Sequence, residues 1–178
     1  MSSMISGMGQ RVVVDNGHSY ISYDTLLKCP ALVEWSLCSE DIGCTVREPS
    51  WRFINDLPFV HGGADNDDYK GSGYDRGHMC PAADRSKSRE VMLSTFVISN
   101  VAPQRPWVNR GEWKKAENVC RKLAMIYDTI RVVSMPIFLH RDTTYIGTHR
   151  VAVPHAFLKV AYYPPNDSVL GLWFVWNK

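Results

Sequence analysis

One stretch of this chain reads as a long helix, and most of what surrounds it reads as strand. Over roughly residues 110–126 the apolar set Trp113, Ala116, Cys120, Leu123, Ala124 and Tyr127 recurs every three or four positions, which buries one helix face. Asn109, Trp113, Glu117 and Arg121 step by four and drift by ~40° per step, so a polar stripe runs beside that buried face. Short β-branched and aromatic runs lie at 11–14, 19–26, 31–37, 92–100, 130–139, 148–154, 156–163 and 169–176. The turn-prone Asp15-Asn16-Gly17 separates the first two. One amphipathic helix among many short strands predicts an α+β fold with a mixed or antiparallel central sheet. With 178 residues and no repeat or linker, the chain reads as one domain, 1–178.

Residues 47–69 carry prolines, paired glycines and a run of acids and amides, and are expected to be loop. Loops carry function more often than their share, which singles out Arg47 and Arg52. Immediately after comes Tyr74-Asp-Arg-Gly-His-Met-Cys-Pro-Ala-Ala-Asp84. Its core, Asp75-Arg76-Gly77-His78, joins a carboxylate, a guanidinium suited to bidentate phosphate contact, a flexible joint and an imidazole. An unperturbed imidazole accepts a proton near neutrality. Four such residues alone would most often be a charged surface turn, so the chemistry depends on residues further along the chain.

Net charge is only +2, but between Arg85 and Lys122 nine basic residues face three acidic ones. A basic segment on a nearly neutral chain suits a polyanion held at one face, although a solvated helix face gives the same pattern. Five cysteines, an odd count without a secretory pattern, argue for free thiols in a reducing compartment, and the lack of a Cys-x-x-Cys pair argues against structural zinc. No run approaches the ~20 apolar residues of a membrane span, and residues 1–10 lack a secretory pattern. The expected location is therefore cytoplasmic, with no membrane partner.

Phosphodiester hydrolysis requires a base for water, a cation to offset developing charge, and donors that orient the phosphate. His78 can be the base and Asn109 a neutral oxygen ligand for a hard cation such as Mg²⁺. Arg76, Arg52 and Arg121 are candidate donors. The alternatives are a catalytically decayed nucleic-acid-binding module and a phosphodiesterase acting on another ester.

Three blocks narrow the choice. Tyr74 to Arg85, Thr95-Phe-Val-Ile-Ser-Asn-Val-Ala-Pro-Gln104, and Asn109-Arg-Gly-Glu-Trp with Glu117 and Arg121 resemble, in order and spacing, the DNA/RNA non-specific endonuclease family. That resemblance implies the ββα-metal (His-Me finger) fold and a Mg²⁺-dependent endonuclease cutting DNA and RNA without sequence preference, with Mn²⁺ as a substitute. It implies His78 as general base, flanked by Asp75 and Arg76, and Asn109 as the direct metal ligand. Glu117 would act through the metal's water shell, Asn100 would support the site, and Arg52 or Arg47 would be the upstream arginine. Arg76, Arg52 and Arg121 would bind phosphate. A homodimer and an inhibitor protein are partners the resemblance leaves open.

Overall fold

The computed structural model describes residues 11–43, 45–48, 50–57, 63–139 and 143–178. Its strands are β1 (Arg11–Asp15), β2 (Tyr20–Asp24), β3 (Cys29–Cys38), β4 (Asp75–His78), β5 (Val101–Gln104), β6 (Thr129–Ile137), β7 (Tyr145–Ile146), β8 (Val151–Ala152), β9 (Ala156–Tyr163) and β10 (Ser168–Trp176). The α-helices are α1 (Arg89–Leu93) and α2 (Trp113–Tyr127). Six strands form an antiparallel sheet in the order β1-β2-β3-β6-β9-β10, as the α+β expectation required. Asp15-Asn16-Gly17 makes the first turn: Gly17 has φ +76°, and Asn16 Oδ1 accepts the N–H groups of His18 and Ser19.

Period-two burial aims the middle of this sheet. On β6, Ile130, Val132, Ser134 and Pro136 are buried in alternation, and on β9 Phe157, Lys159 and Ala161 are buried. The buried residues of α2 are Trp113, Ala116, Cys120 and Ala124. Three of these four side chains are small, so the helix can lie close to a neighbour, while the Trp113 ring meets Phe157 at 5.4 Å between centroids. Burying a side chain such as Phe157 contributes about 1.5–3 kcal/mol of transfer free energy.

β3 and β6 are neighbours in the sheet, yet about ninety residues separate them. That detour contains β4, β5, α1 and α2. Its two ends meet: Cys38 pairs with Thr129, the Ser39 N–H donates to the Asp128 carbonyl at 2.7 Å, and Ser39 Oγ donates to Asp128 Oδ1 at 2.6 Å.

The expected strand at 92–100 is not there. Residues 89–93 form α1, whose N-terminus Ser88 caps by accepting the Val91 N–H, and Ile98–Asn100 form a 3₁₀ turn. Only β5, at Val101–Gln104, is strand. The physical reason is that residues 95–102 are all buried, so no alternation marks a sheet face. The expected run at 148–154 shrinks to β8, which pairs with β7. The helix begins at Trp113, later than expected, because Val108–Glu112 form a wider turn in which the Trp113 N–H reaches back five residues to the Val108 carbonyl. Such wide turns often sit at functional positions. Among the described residues, no helix is long and apolar enough to cross a membrane.

Candidate active site

The detour folds the Asp75-Arg76-Gly77-His78 motif into a hairpin. β4 pairs antiparallel with β5, placing Asp75 opposite Gln104 and His78 opposite Val101. Gly77 is needed here, since a Cβ would lie 2.4 Å from Gln104 Oε1, and Gln104 is fully buried. Asn100 ties the chain just after His78 to the segment that leads into β5. Its Oδ1 accepts the Cys80 N–H at 2.9 Å, and its Nδ2 donates to the carbonyls of Cys80 (2.9 Å) and Thr95 (3.0 Å). All of this is buried, so Asn100→Ala would leave three backbone groups without partners. We expect that variant to lose about 2–4 kcal/mol in urea denaturation.

His78 sits between two phenyl rings, Phe53 at 4.9 Å and Phe96 at 5.1 Å, and its Nε2 is buried with no protein partner among the described residues. Burial, followed by the nearby Arg47 cation, pushes its pKa down to about 3. The imidazole is therefore neutral throughout the physiological range. The Arg47 guanidinium lies over the Phe96 ring at 4.9 Å. Arg47, Arg52 and Arg76 line one cleft of about 490 Å³ with Trp51, Phe53, Asn66 and Asp67. Both candidates for the upstream arginine thus reach the same cleft, and Arg47 is the one whose charge acts on His78. Arg76 is anchored by its Nη2, which donates to the Asn66 carbonyl at 2.7 Å, and it stands over Tyr69 at 5.4 Å.

Asp75 points the other way, toward the wide turn. Its Oδ2 accepts from Asn109 Nδ2 at 2.9 Å, and Arg110 grips the same carboxylate through Nε (3.0 Å) and Nη2 (2.8 Å). Engaging the amide nitrogen fixes which end of Asn109 remains for a ligand, namely Oδ1. Arg110 was not among the sequence candidates. Its partner lies 35 residues away, and no local spacing shows the pair.

The remaining candidates lie along α2. Burial raises the Glu117 carboxyl to about 7, with Lys159 pulling the other way and Asp84 adding to the rise. Arg121 donates to Asp84 Oδ1 and to Asn118 Oδ1, both at 2.6 Å. Asp84 is fully buried and also accepts from Trp35 Nε1 at 3.1 Å. Arg121, expected as a phosphate donor, thus has its guanidinium held in an ion pair that ties α2 to the turn after β4.

The raised Glu117 pKa has a stability consequence. Between pH 4.5 and about 7 the unfolded carboxyl has lost its proton while the folded one keeps it. The folded state binds more protons, so this group's contribution to stability falls as pH rises through that window. With EDTA present, Glu117→Gln is expected to be more stable than the parent at pH 8 by roughly 1–3 kcal/mol, and nearly equal to it at pH 5. Urea midpoints at the two pH values check this.

Among the described residues, one group of three side chains drawn from His, Cys, Asp and Glu could hold a metal ion: Asp65, Asp68 and His149, with ligand atoms within 4.8 Å of one another. No sequence spacing announced it. His149 Nδ1 lies 3.0 Å from Asp68 Oδ2, and Asp68 also accepts the N–H groups of Asp65 and His149. These contacts clamp the 65–69 turn, whose Asn66 anchors Arg76.

Comparison with known proteins places this geometry. A family model described as DNA/RNA non-specific endonuclease matches residues 1–175. Mitochondrial endonuclease G of Bos taurus is 42% identical over 106 residues, which is 54% of this chain and 36% of the relative. The mitochondrial nuclease EXOG of Danio rerio is 39% identical over 165 residues, 85% of this chain and 48% of the relative. The chain therefore spans less than half the length of these two relatives. A chain from the crystal structure of the EndoG/EndoGI complex superposes with a TM-score of 0.84 at 29% identity, covering 96% of this chain and 76% of that one. This chain belongs to the DNA/RNA non-specific endonuclease family.

Proposed function

We propose that this chain, as one nuclease domain over residues 1–178, hydrolyses phosphodiester bonds of DNA and RNA without sequence preference. The observation that carries the reading is a neutral imidazole, His78, on the same short hairpin as Asp75, which in turn orients Asn109. In this reading His78 takes a proton from the attacking water. The water oxygen bonds to phosphorus, and the bond from phosphorus to the leaving nucleotide oxygen breaks. Arg47, Arg52 and Arg76 hold the phosphate in their shared cleft and offset its growing charge. Arg121 supports them from its ion pair with Asp84 by fixing α2 against the hairpin turn. Asn100 keeps the backbone after His78 in place.

The oxygen-rich donor set suits a hard cation such as Mg²⁺, with Mn²⁺ as a substitute. Asn109 Oδ1 would hold it directly, since the amide nitrogen is already engaged, and Glu117 would act on its water shell. Such a cation, when bound, offsets charge on the phosphate and on the leaving oxygen. The requirement for an ionised Glu117 then makes cation affinity rise with pH through about 7.

Two of the relatives carry "mitochondrial" in their names, and the solved relative is seen with an inhibitor. A mitochondrial compartment is therefore the first location to weigh against the expected cytoplasmic one, and an inhibitor protein the first partner to seek. The direct test of activity is incubation of plasmid DNA and of a long RNA with the purified protein. We expect both to be cut in Mg²⁺ or Mn²⁺, cutting to stop with EDTA, and activity to return when metal is restored. Binding in a gel shift with no cleavage at any metal concentration would overturn the reading in favour of a decayed binding module. Faster turnover of a small aryl phosphodiester than of duplex DNA would point to a different phosphate ester.

A further inference from the structure

Beneath the hairpin lies a lysine whose charge acts on the Glu117 carboxyl but to which the proposed chemistry assigns no contact with the hairpin. Lys159, on β9, is fully buried between the inward-facing Phe157 and Ala161. Its Nζ donates to Ser134 Oγ at 2.8 Å and makes a longer contact of 3.4 Å with the Met79 carbonyl. Two indoles flank the ammonium, Trp113 at 4.4 Å and Trp35 at 4.8 Å from ring centroid. Those indoles are themselves committed. Trp113 Nε1 donates to the His78 carbonyl at 3.2 Å, and Trp35 Nε1 donates to Asp84 at 3.1 Å.

A buried cation is weak evidence for stability, because desolvation offsets much of what its partners return. An apolar side chain of the same length would fill this space at a smaller desolvation cost. What such a side chain would not do is hold two backbone carbonyls in sequence. Through Met79 directly, and through Trp113 to His78, the Lys159 ammonium is linked to two consecutive peptide units, Met79–Cys80 and His78–Met79, the second of which flanks the His78 Cα. It also joins three layers: β9 and β6 of the sheet, the start of α2, and the exit of β4.

From this we infer that Lys159 is a positioning residue for the reaction: with Ser134, it locks the His78–Met79 backbone to the first turn of α2 and so sets the imidazole relative to Asn109. The inference rests on His78 being the general base. Displacing a reacting group by about 1 Å can lower a rate by ~10²-fold. Uniform substrate binding would be untouched, since the arginine cleft does not involve Lys159.

The test uses the full chain carrying Lys159→Met, which keeps the length and apolarity of the stem and removes the ammonium. We expect kcat on a defined DNA duplex to fall by about 10- to 100-fold. KM should stay within about twofold. The urea midpoint should fall, because buried Asp84 and the Met79 carbonyl lose a partner, while circular dichroism shows the variant fully folded in the denaturant-free assay. Ser134→Ala should lower kcat in the same direction, Ser134→Thr should restore it, and the Lys159→Met/Ser134→Ala double variant should be no slower than Lys159→Met alone. Wild-type kcat in Lys159→Met would overturn the inference, as would a loss of kcat no larger than the unfolded fraction that circular dichroism finds in the assay. If Lys159→Met does not fold, wild-type kcat in Ser134→Ala overturns it instead. Measuring His78→Ala beside them separates the two readings. An active His78→Ala protein removes the general base itself, whereas an inactive one beside a fully active Lys159→Met removes only the positioning role.

Discussion

His78→Ala is expected to lower kcat on plasmid DNA by about 10³-fold or more, with circular dichroism and the thermal midpoint close to the parent's. General-base removal alone accounts for losses of ~10²–10⁴, and among the described residues no imidazole lines the arginine cleft, whose Phe53 wall packs against His78, so none stands ready to replace it. The fold should tolerate the change because the hairpin is held through Asn100, Gln104 and Trp113 and not through the imidazole. The variant also carries a pH signature. In the parent, His78 has a folded pKa of about 3 against 6.5 unfolded, so below pH 6.5 the unfolded state binds the extra proton. Stability contributed by keeping this ring neutral is therefore full above pH 6.5 and declines as pH falls toward 3. His78→Ala should flatten that part of the acid-denaturation curve. A protein that still cuts DNA at the parental rate would rule out His78 as the base.

Asn109→Ala should have the second-largest effect: cleavage at millimolar Mg²⁺ falls by about 10²-fold or more, with partial recovery at much higher metal concentration. Isothermal titration with Mn²⁺ should show the affinity loss without any nucleic acid present. The structure adds a sharper comparison. Asp75 holds Asn109 by its amide nitrogen while Arg110 holds Asp75 from the other side. Asp75→Ala therefore frees the amide to flip, and should weaken metal affinity in the same direction as Asn109→Ala but by less. If Asn109→Ala titrates like the parent, the amide is not the ligand.

Much of this arrangement could be read from the sequence, and what could not be read has a common cause. The four-residue spacing from Asn109 to Arg121 and the apolar spacing from Trp113 to Tyr127 are local, and the helix that they predict is present. Asp75-Arg76-Gly77-His78 is local as well, and it is one strand. Residues 92–100 misled because the run from Thr95 onward, buried at every position, has no period from which to choose between strand and turn. The arginines misled differently. Arg110 and Arg121 look alike in the sequence, yet one grips Asp75 and the other grips Asp84, partners 35 and 37 residues away. Lys159 was invisible for the opposite reason. A lysine within an apolar strand is expected to point outward, but alternation puts it on the same face as Phe157 and Ala161, and the indoles that accept it come from elsewhere in the chain.

The detour between β3 and β6 has a consequence for when this protein can act. Pairing those strands closes a loop of about ninety residues, a contact of high sequence separation and hence a slow event by topology. Everything the proposed chemistry needs from β4 to α2 lies inside that loop, and Lys159, which steadies it, lies beyond it on β9. A nascent chain would therefore carry the whole reactive motif for some time before the seam at Ser39 and Asp128 drew shut. If the proposed reaction is this chain's, nucleic acid near an emerging copy would be spared until that long-range pairing is made.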